Sequence, residues 1–282
     1  MYELRLTWRT LSKSYATLLG IIIIVAMFCV AVFASQLAPY EYDEMTIKDK
    51  LIGPTGNHIL GTDQFGRDIL ARTIYGAQVS LLVGLGGTAM AMVAGILLGA
   101  TAGYWGGWWD EVLMRVLDIW MAFPYIVLAI VLAWIIGPGL RNLILVIGII
   151  RAPQFARIIR GSVLTIKEVE FIEAARSVGQ RSLLILWRHI LPNCISPIIV
   201  YASLCVATAI NAEAALSFLG LGIQPPTPSW GMMLAEGRRY MFDAPWIPTF
   251  PGIAVSLTIL GYNLLGDGLR DALDPRMRRQ LR

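Results

Sequence analysis

FIEAARSVGQRSLLILWRHILPN, residues 171–193, is the stretch whose reading decides the fold. It restores charge and amphipathic order in a chain that is 56% hydrophobic, has a mean hydropathy of +0.64 and carries only 15% charged residues. An ordinary soluble domain holds about a quarter charged residues, so the surrounding sequence belongs in a membrane. Phe171, Ala174, Ala175 and Val178 recur at i, i+3, i+4 and i+7, the spacing of one apolar helix face. Glu170, Glu173, Ser177 and Gln180 point elsewhere, and Glu173 is spaced to pair with Arg176. Gly179 suits a helix end, and Pro192 suits the first turn of the next helix.

Outward from this insert, charge-free blocks long enough to cross a bilayer run over Ser14 to Tyr40, Thr73 to Trp109, Ile119 to Leu140, Ile190 to Ala212 and Ala244 to Gly266. A sixth block, Leu143 to about Ile159, is weaker because it holds Arg151, Pro153 and Arg157. Six spans with the N-terminus inside put fifteen Lys and Arg on inner segments and seven on outer ones, leaving Arg151 between them out of 23 in all. That satisfies the positive-inside rule. A five-span chain with its N-terminus outside satisfies it too, although LILVIGII, residues 143–150, is too apolar to leave in water.

The first apolar block reads as a retained anchor rather than a cleaved leader, being longer than a signal-peptide core. The net charge of +4 suits an anionic lipid surface and gives no reason to expect nucleic acid. Cys29, Cys194 and Cys205 sit in or beside apolar blocks as packing residues, and with only two histidines no metal-ligand spacing arises. No phosphate-cradling Gly-x-x-x-x-Gly-Lys loop, Gly-x-Ser-x-Gly or His-Glu-x-x-His occurs, so energy must come from a partner or an ion gradient. A surface helix on lipid gains from large apolar groups. The alanines and glycine of residues 174–179 favour close approach of another protein instead.

At this point the stretch resembles the cytoplasmic coupling motif of ABC importer permeases: Glu-Ala-Ala, three residues, Gly, nine residues, Ile-x-Leu-Pro. Glu173, Ala174, Ala175, Gly179, Leu191 and Pro192 match, while His189 stands at the isoleucine position. Arg188 to Asn193, RHILPN, is similar to the dipeptide, oligopeptide and nickel branch. So are HILGTDQFGRDILARTIYGAQVSL (58–81), GYWGGWWDEVLMRVLDI (103–119), ALSFLGLGIQPPTPSWGMML (215–234) and NLLGDGLRDALDPR (263–276).

The resemblance implies an all-α membrane protein with six spans, both termini cytoplasmic, in a bacterial inner membrane. It implies a coupling segment at about 165–192, between spans 4 and 5, with Glu173, Ala174, Ala175, Arg176, Gly179, His189, Leu191 and Pro192 as the ATPase-coupling residues. The organisation expected is a cytoplasmic tail (1–17), a first span (18–38), a periplasmic loop (39–79), a permease domain of five spans (80–267) and a second cytoplasmic tail (268–282). The implied partners are a second homologous permease, two cytoplasmic ATPase subunits that carry the ATP and Mg, a periplasmic or lipid-anchored binding protein, and lipid. This chain itself would be non-catalytic and bind no cofactor. The cargo would be peptides, with nickel chelates, glutathione or other small solutes as alternatives.

Two charged residues are candidates for the translocation path. Glu213 lies roughly 31 Å along a helix from Pro192, at 1.5 Å per residue, which puts it at the outer interface as a solvated or gate carboxylate. Arg151 is deeper, where an arginine must snorkel, pair or line a wet path; pore-lining and structural pairing are both open. Gly95, Gly99 and Gly103 form a small-residue stripe for close helix contact, against the second permease among other candidates. Trp105, Trp108, Trp109, Trp230 and Trp246 read as an interfacial belt, and residues 39–78 as a solvated loop or a lip where a binding protein docks. An ion-coupled carrier would need acids at mid-depth and a membrane enzyme a clustered catalytic set; the sequence offers neither.

Overall fold

In the computed structural model, which describes Leu11 and residues 14–273, the described residues are nearly all helical apart from turns and one isolated bridge between Thr62 and Asp68. The chain runs through α1 (Tyr15–Val32), α2 (Ala34–Leu37), α3 (Ile69–Trp105), α4 (Gly107–Met121), α5 (Tyr125–Ile136) and α6 (Leu140–Ile166). It continues with α7 (Glu170–Ser177), α8 (Ser182–Ile185), α9 (Ile195–Phe218), α10 (Trp230–Gly237) and α11 (Trp246–Leu273). The charged tails at residues 1–10 and 274–282 lie outside the described residues.

Among the described residues, five helical stretches are long and apolar enough to cross a membrane, and a sixth span is made if the bent pair α4 and α5 counts as one. The bend is 91°. Its cause is Pro124, which excludes the helical conformation from the residue before it; it stands as the N-cap of α5 in extended ψ. The block at Ile119 to Leu140 is therefore not one straight span as the sequence suggests, but the end of an elbow helix followed by twelve helical residues.

The sixth, weaker block is a continuous 27-residue helix, α6, and the most enclosed of the candidate spans. Its hydropathy is lowered by arginines, two of which are paired across to α4. Arg160 donates from Nε and Nη2 to the two carboxylate oxygens of Asp110 on α4 at 2.5 and 2.6 Å, and Arg157 pairs with Asp118.

The central contact is α3 against α6. A methyl group at Gly95 would stand 2.2 Å from the Cβ of Phe155, one at Gly99 2.2 Å from the carbonyl oxygen of Ala156, and one at Gly103 3.0 Å from that of Arg160. The glycine stripe therefore serves this chain's own α6 and not a second permease. Packing of α9 on α3 and α11, and of α11 on α1, completes the bundle.

At the end opposite α7, the segment read as a solvated loop or a lip is exposed over most of residues 41–59 and tied down where it approaches α3. Asp63, Arg67, Asp68 and Arg72 are all buried. Arg67 bonds Asp63 at 2.5 Å, and Arg67 and Arg72 both donate to Glu236 Oε2, at 3.2 and 3.0 Å. Asp68 caps α3 by accepting from the Ala71 amide at 2.8 Å and contacts His58 Nδ1 at 2.9 Å. Trp230 is fully buried, with its indole N–H on the Thr73 carbonyl at 2.9 Å, and the Trp246 indole reaches the Thr62 carbonyl at 3.1 Å. Trp230 thus ties α10 to α3, and Trp246 ties the loop to α11; Trp105, Trp108 and Trp109 are exposed.

Candidate functional site

Helix α7 is eight residues long and ends in a Schellman turn: the Gln180 amide donates to Ala175 O at 3.2 Å and the Gly179 amide to Arg176 O at 2.9 Å. Gly179 takes φ +77°, a conformation that favours glycine, with no atom within 4 Å of where a Cβ would lie. The chain thus turns back while leaving open space beside the turn.

The helix buries Ile172 and Ala175 and exposes Phe171, Glu173, Ala174, Arg176 and Val178. This corrects the single apolar face read from spacing. Ala175 turns inward with Ile172, whereas Phe171, Ala174 and Val178 form a separate outward strip that is apolar and small-sided in its middle. The expected pair between Glu173 and Arg176 is also absent among the described residues. Arg176 instead sets its guanidinium carbon 6.0 Å from the Tyr104 ring centroid, at the end of α3.

Ile172 and Ala175 share one core with Phe155, Ile159 and Val163 of α6 and with Ile185, Leu186, Ile190, Leu191, Cys194 and Ile198 on the way into α9. Helix α7 is therefore continuous, through side-chain packing, with two spans. The return path carries its own device. Residues Leu186–Ile190 form a π-turn and Leu191–Cys194 a 3-10 turn, the adjustment expected where Pro192 removes an amide and crowds the preceding turn. The Asn193 side-chain amide donates to the His189 carbonyl at 2.7 Å, satisfying an acceptor in this distorted turn. His189 Nε2 lies 3.0 Å from Gln180 Oε1, so the residue that departs from the motif ties the turn after α7 to the following helix.

Of the two candidates for the path, Glu213 is not solvated. It is fully buried, accepting from Ser80 Oγ at 2.9 Å on α3 and from Ser217 Oγ at 2.8 Å. Those hydroxyls in turn accept from the Trp230 and Ile223 amides. Glu213 is a junction between α3, α9 and the approach to α10. Its enclosure comes in part from Ser80, 133 residues away in sequence. Arg151 does line a cavity, of about 470 Å3, together with Gln154, Arg157, Tyr201, Cys205 and Thr208.

The Asp63, Arg67, Arg72 and Glu236 cluster was not singled out from sequence. Only the opposite charges of Asp63 and Arg67 at i and i+4 hint at it, and Glu236 is 164 residues from Arg72.

A polytopic helical bundle with a short surface helix built into the core of its spans, and a mainly apolar cavity between spans into which Arg151 and Gln154 face, has the architecture of a membrane transport subunit. Residues 95–279 match the family described as binding-protein-dependent transport system inner membrane component, and residues 3–54 the N-terminal transmembrane domain of oligopeptide transport permease C. The chain is 45% identical over 274 residues to the dipeptide transport system permease protein DppC of Alkalihalophilus pseudofirmus, covering 97% of this chain and 90% of that one. It is 44% identical over 272 residues to the glutathione transport system permease protein GsiD of Escherichia coli O6:K15:H31, covering 96% and 90%. The fold is also similar to a chain of the methionine ABC transporter MetNI in an inward facing crystal form, at a TM-score of 0.56 and 18% identity, covering 73% of this chain and 97% of that one.

The chain belongs to the inner-membrane permease family of binding-protein-dependent ABC importers. It is a multi-pass permease subunit, in a family that works with ATPase and substrate-binding components.

Proposed function

We propose that this chain is the non-catalytic lever and half of the pore in an importer of peptides. It would pair with a second homologous permease, two cytoplasmic ATPase subunits and a substrate-binding protein outside the membrane. Both termini and α7 lie on the cytoplasmic side in this reading, in line with the fifteen to seven excess of Lys and Arg there. ATP and Mg belong to the ATPase subunits.

One observation carries the reading: the inner face of α7 is part of the same core as α6 and α9, while its outer strip is uncovered. A partner that moves Phe171, Ala174 and Val178 must move those spans, because close-packed interiors shift as units rather than deform. Glu173 and Arg176 offer charged contacts at the rim of that strip, and Gly179 clears the space beside it. His189, Leu191 and Pro192 hold the return path rigid. The ATPase subunits closing on ATP would then swing the spans from inward-open to outward-open.

Peptide cargo follows from the dipeptide and glutathione relatives, glutathione being itself a tripeptide. Reconstitution of the two permeases with their two ATPase subunits in liposomes, together with the binding protein, tests both parts. ATP-dependent uptake of a radiolabelled di- or tripeptide supports them. Uptake of nickel chelates or sugars with none of peptides would replace the cargo, and uptake driven by an ion gradient without ATP would replace the mechanism.

A further inference from the structure

Three arginines of α6, of which Arg151 and Arg157 line the cavity, differ in their partners. Arg157 and Arg160 are neutralised by Asp118 and Asp110 on α4. Arg151 is not: among the described residues no carboxylate lies within ion-pair distance of it, although it is only 8% exposed. Eleven residues past the start of α6, it sits about 16 Å along the helix, near the middle of a hydrocarbon core roughly 30 Å thick. An uncompensated charge at that depth is expensive and characteristically faces a pathway.

Its surroundings position the guanidinium without discharging it. The ring of Tyr125 lies 4.7 Å from the guanidinium carbon, and Nη1 donates to Gln154 Oε1 at 3.2 Å. The Tyr201 hydroxyl donates to that same oxygen at 2.5 Å, fixing Gln154 from α9. One hydrogen bond leaves most of the five donors of a guanidinium without a protein acceptor among the described residues. The cavity beside them, about 470 Å3, is within the range that holds small organic ligands. Tyr201, Cys205 and Thr208 line its other wall at i, i+4 and i+7 of α9, and Met121 of α4 its edge, so the space is a groove between helix faces that is open on one side.

We propose that Arg151 is a carboxylate-binding residue of the translocation path. It receives the free carboxylate of the cargo as a planar, two-bonded partner, so that charge on the solute neutralises charge on the path only while solute is in transit. This rests on the peptide-importer reading above, since a peptide carries a free carboxylate at its C-terminus.

The test uses the assembled importer in nanodiscs without its binding protein, titrated with dialanine and with dialanine amide and read by thermophoresis. Wild type should bind dialanine about tenfold or more tightly than the amide, the difference expected for a hydrogen-bonded charge. Arg151→Gln should remove that preference, and Arg151→Lys, which keeps the charge but loses the fork, should retain part of it. Assembly of each variant is checked by gel filtration, and should the glutamine variant not assemble, the wild-type and lysine comparisons still decide. Equal binding of acid and amide by wild type, binding of neither, or a preference that survives Arg151→Gln overturns the proposal. The reading beneath it fails separately: ATP-dependent uptake without a carboxylate preference removes only the subsite, and a preference without such uptake removes the importer mechanism.

Discussion

At Gly179 the backbone turns at φ +77° into open space, which separates two effects of substitution there. An alanine would cost about 1–2 kcal/mol for the left-handed conformation. A tryptophan adds to this cost a bulky group that meets nothing in this chain. Uptake by reconstituted Gly179→Trp is therefore expected to be lost while its membrane insertion, followed by protease protection, is normal; Gly179→Asn, which tolerates this backbone region, should keep most uptake. Wild-type uptake by the tryptophan variant would remove the docking role. Gly179 is legible in sequence because helix ends are written locally, in the residues that form them. Glu213 is different, because its burial depends on Ser80, 133 residues away. Glu213→Ala leaves two buried hydroxyls short of a partner, at about 1–3 kcal/mol each, and should lower the denaturation midpoint of the purified importer. An unchanged midpoint with lost uptake would return Glu213 to the path.

Among the elements, the α3 and α6 pair shows why small-residue patterns can be found in sequence but not assigned a partner there. Three glycines at four-residue spacing declare a close-packing face; which helix covers it depends on the whole bundle. Gly99→Val should sharply reduce the yield of folded chain, since its Cβ would meet the Ala156 carbonyl oxygen at 2.2 Å and the main chains would have to separate. Gly161→Val on α6, with nothing within 4 Å, should not. Comparable yields by fluorescence-detected gel filtration would contradict this packing. The same pair explains the difficult spans. Arg157 and Arg160 make α6 look too polar to cross because their partners, Asp118 and Asp110, are on another helix. The charge-free count across residues 119–140 is blind to the turn that Pro124 imposes.

Across the whole molecule, two rigid ends frame the cavity at Arg151. At the end away from α7, Arg67 and Arg72 share Glu236, itself 15% exposed, and so tie the loop before α3 to α10. Glu236→Leu leaves two buried guanidiniums to share the one carboxylate of Asp63, and breaking a buried pair costs on the order of 3–5 kcal/mol. Limited proteolysis should then cut within residues 39–68 at least several-fold faster than in wild type, and unchanged cleavage would mean the cluster is not what holds the loop. At the other end, Ile172 and Ala175 lock α7 into the core of the spans, leaving Ala174 on the uncovered strip. The most direct measurement is affinity purification of the tagged chain from its own membrane, with quantitative mass spectrometry, for wild type, Ala174→Trp and the control Ser35→Trp, exposed on α2 outside the coupling segment. The coupling account predicts that wild type and control recover a second permease together with ATPase subunits, and that Ala174→Trp keeps the permease while losing the ATPases. Recovery of ATPases by Ala174→Trp at the wild-type ratio would contradict it.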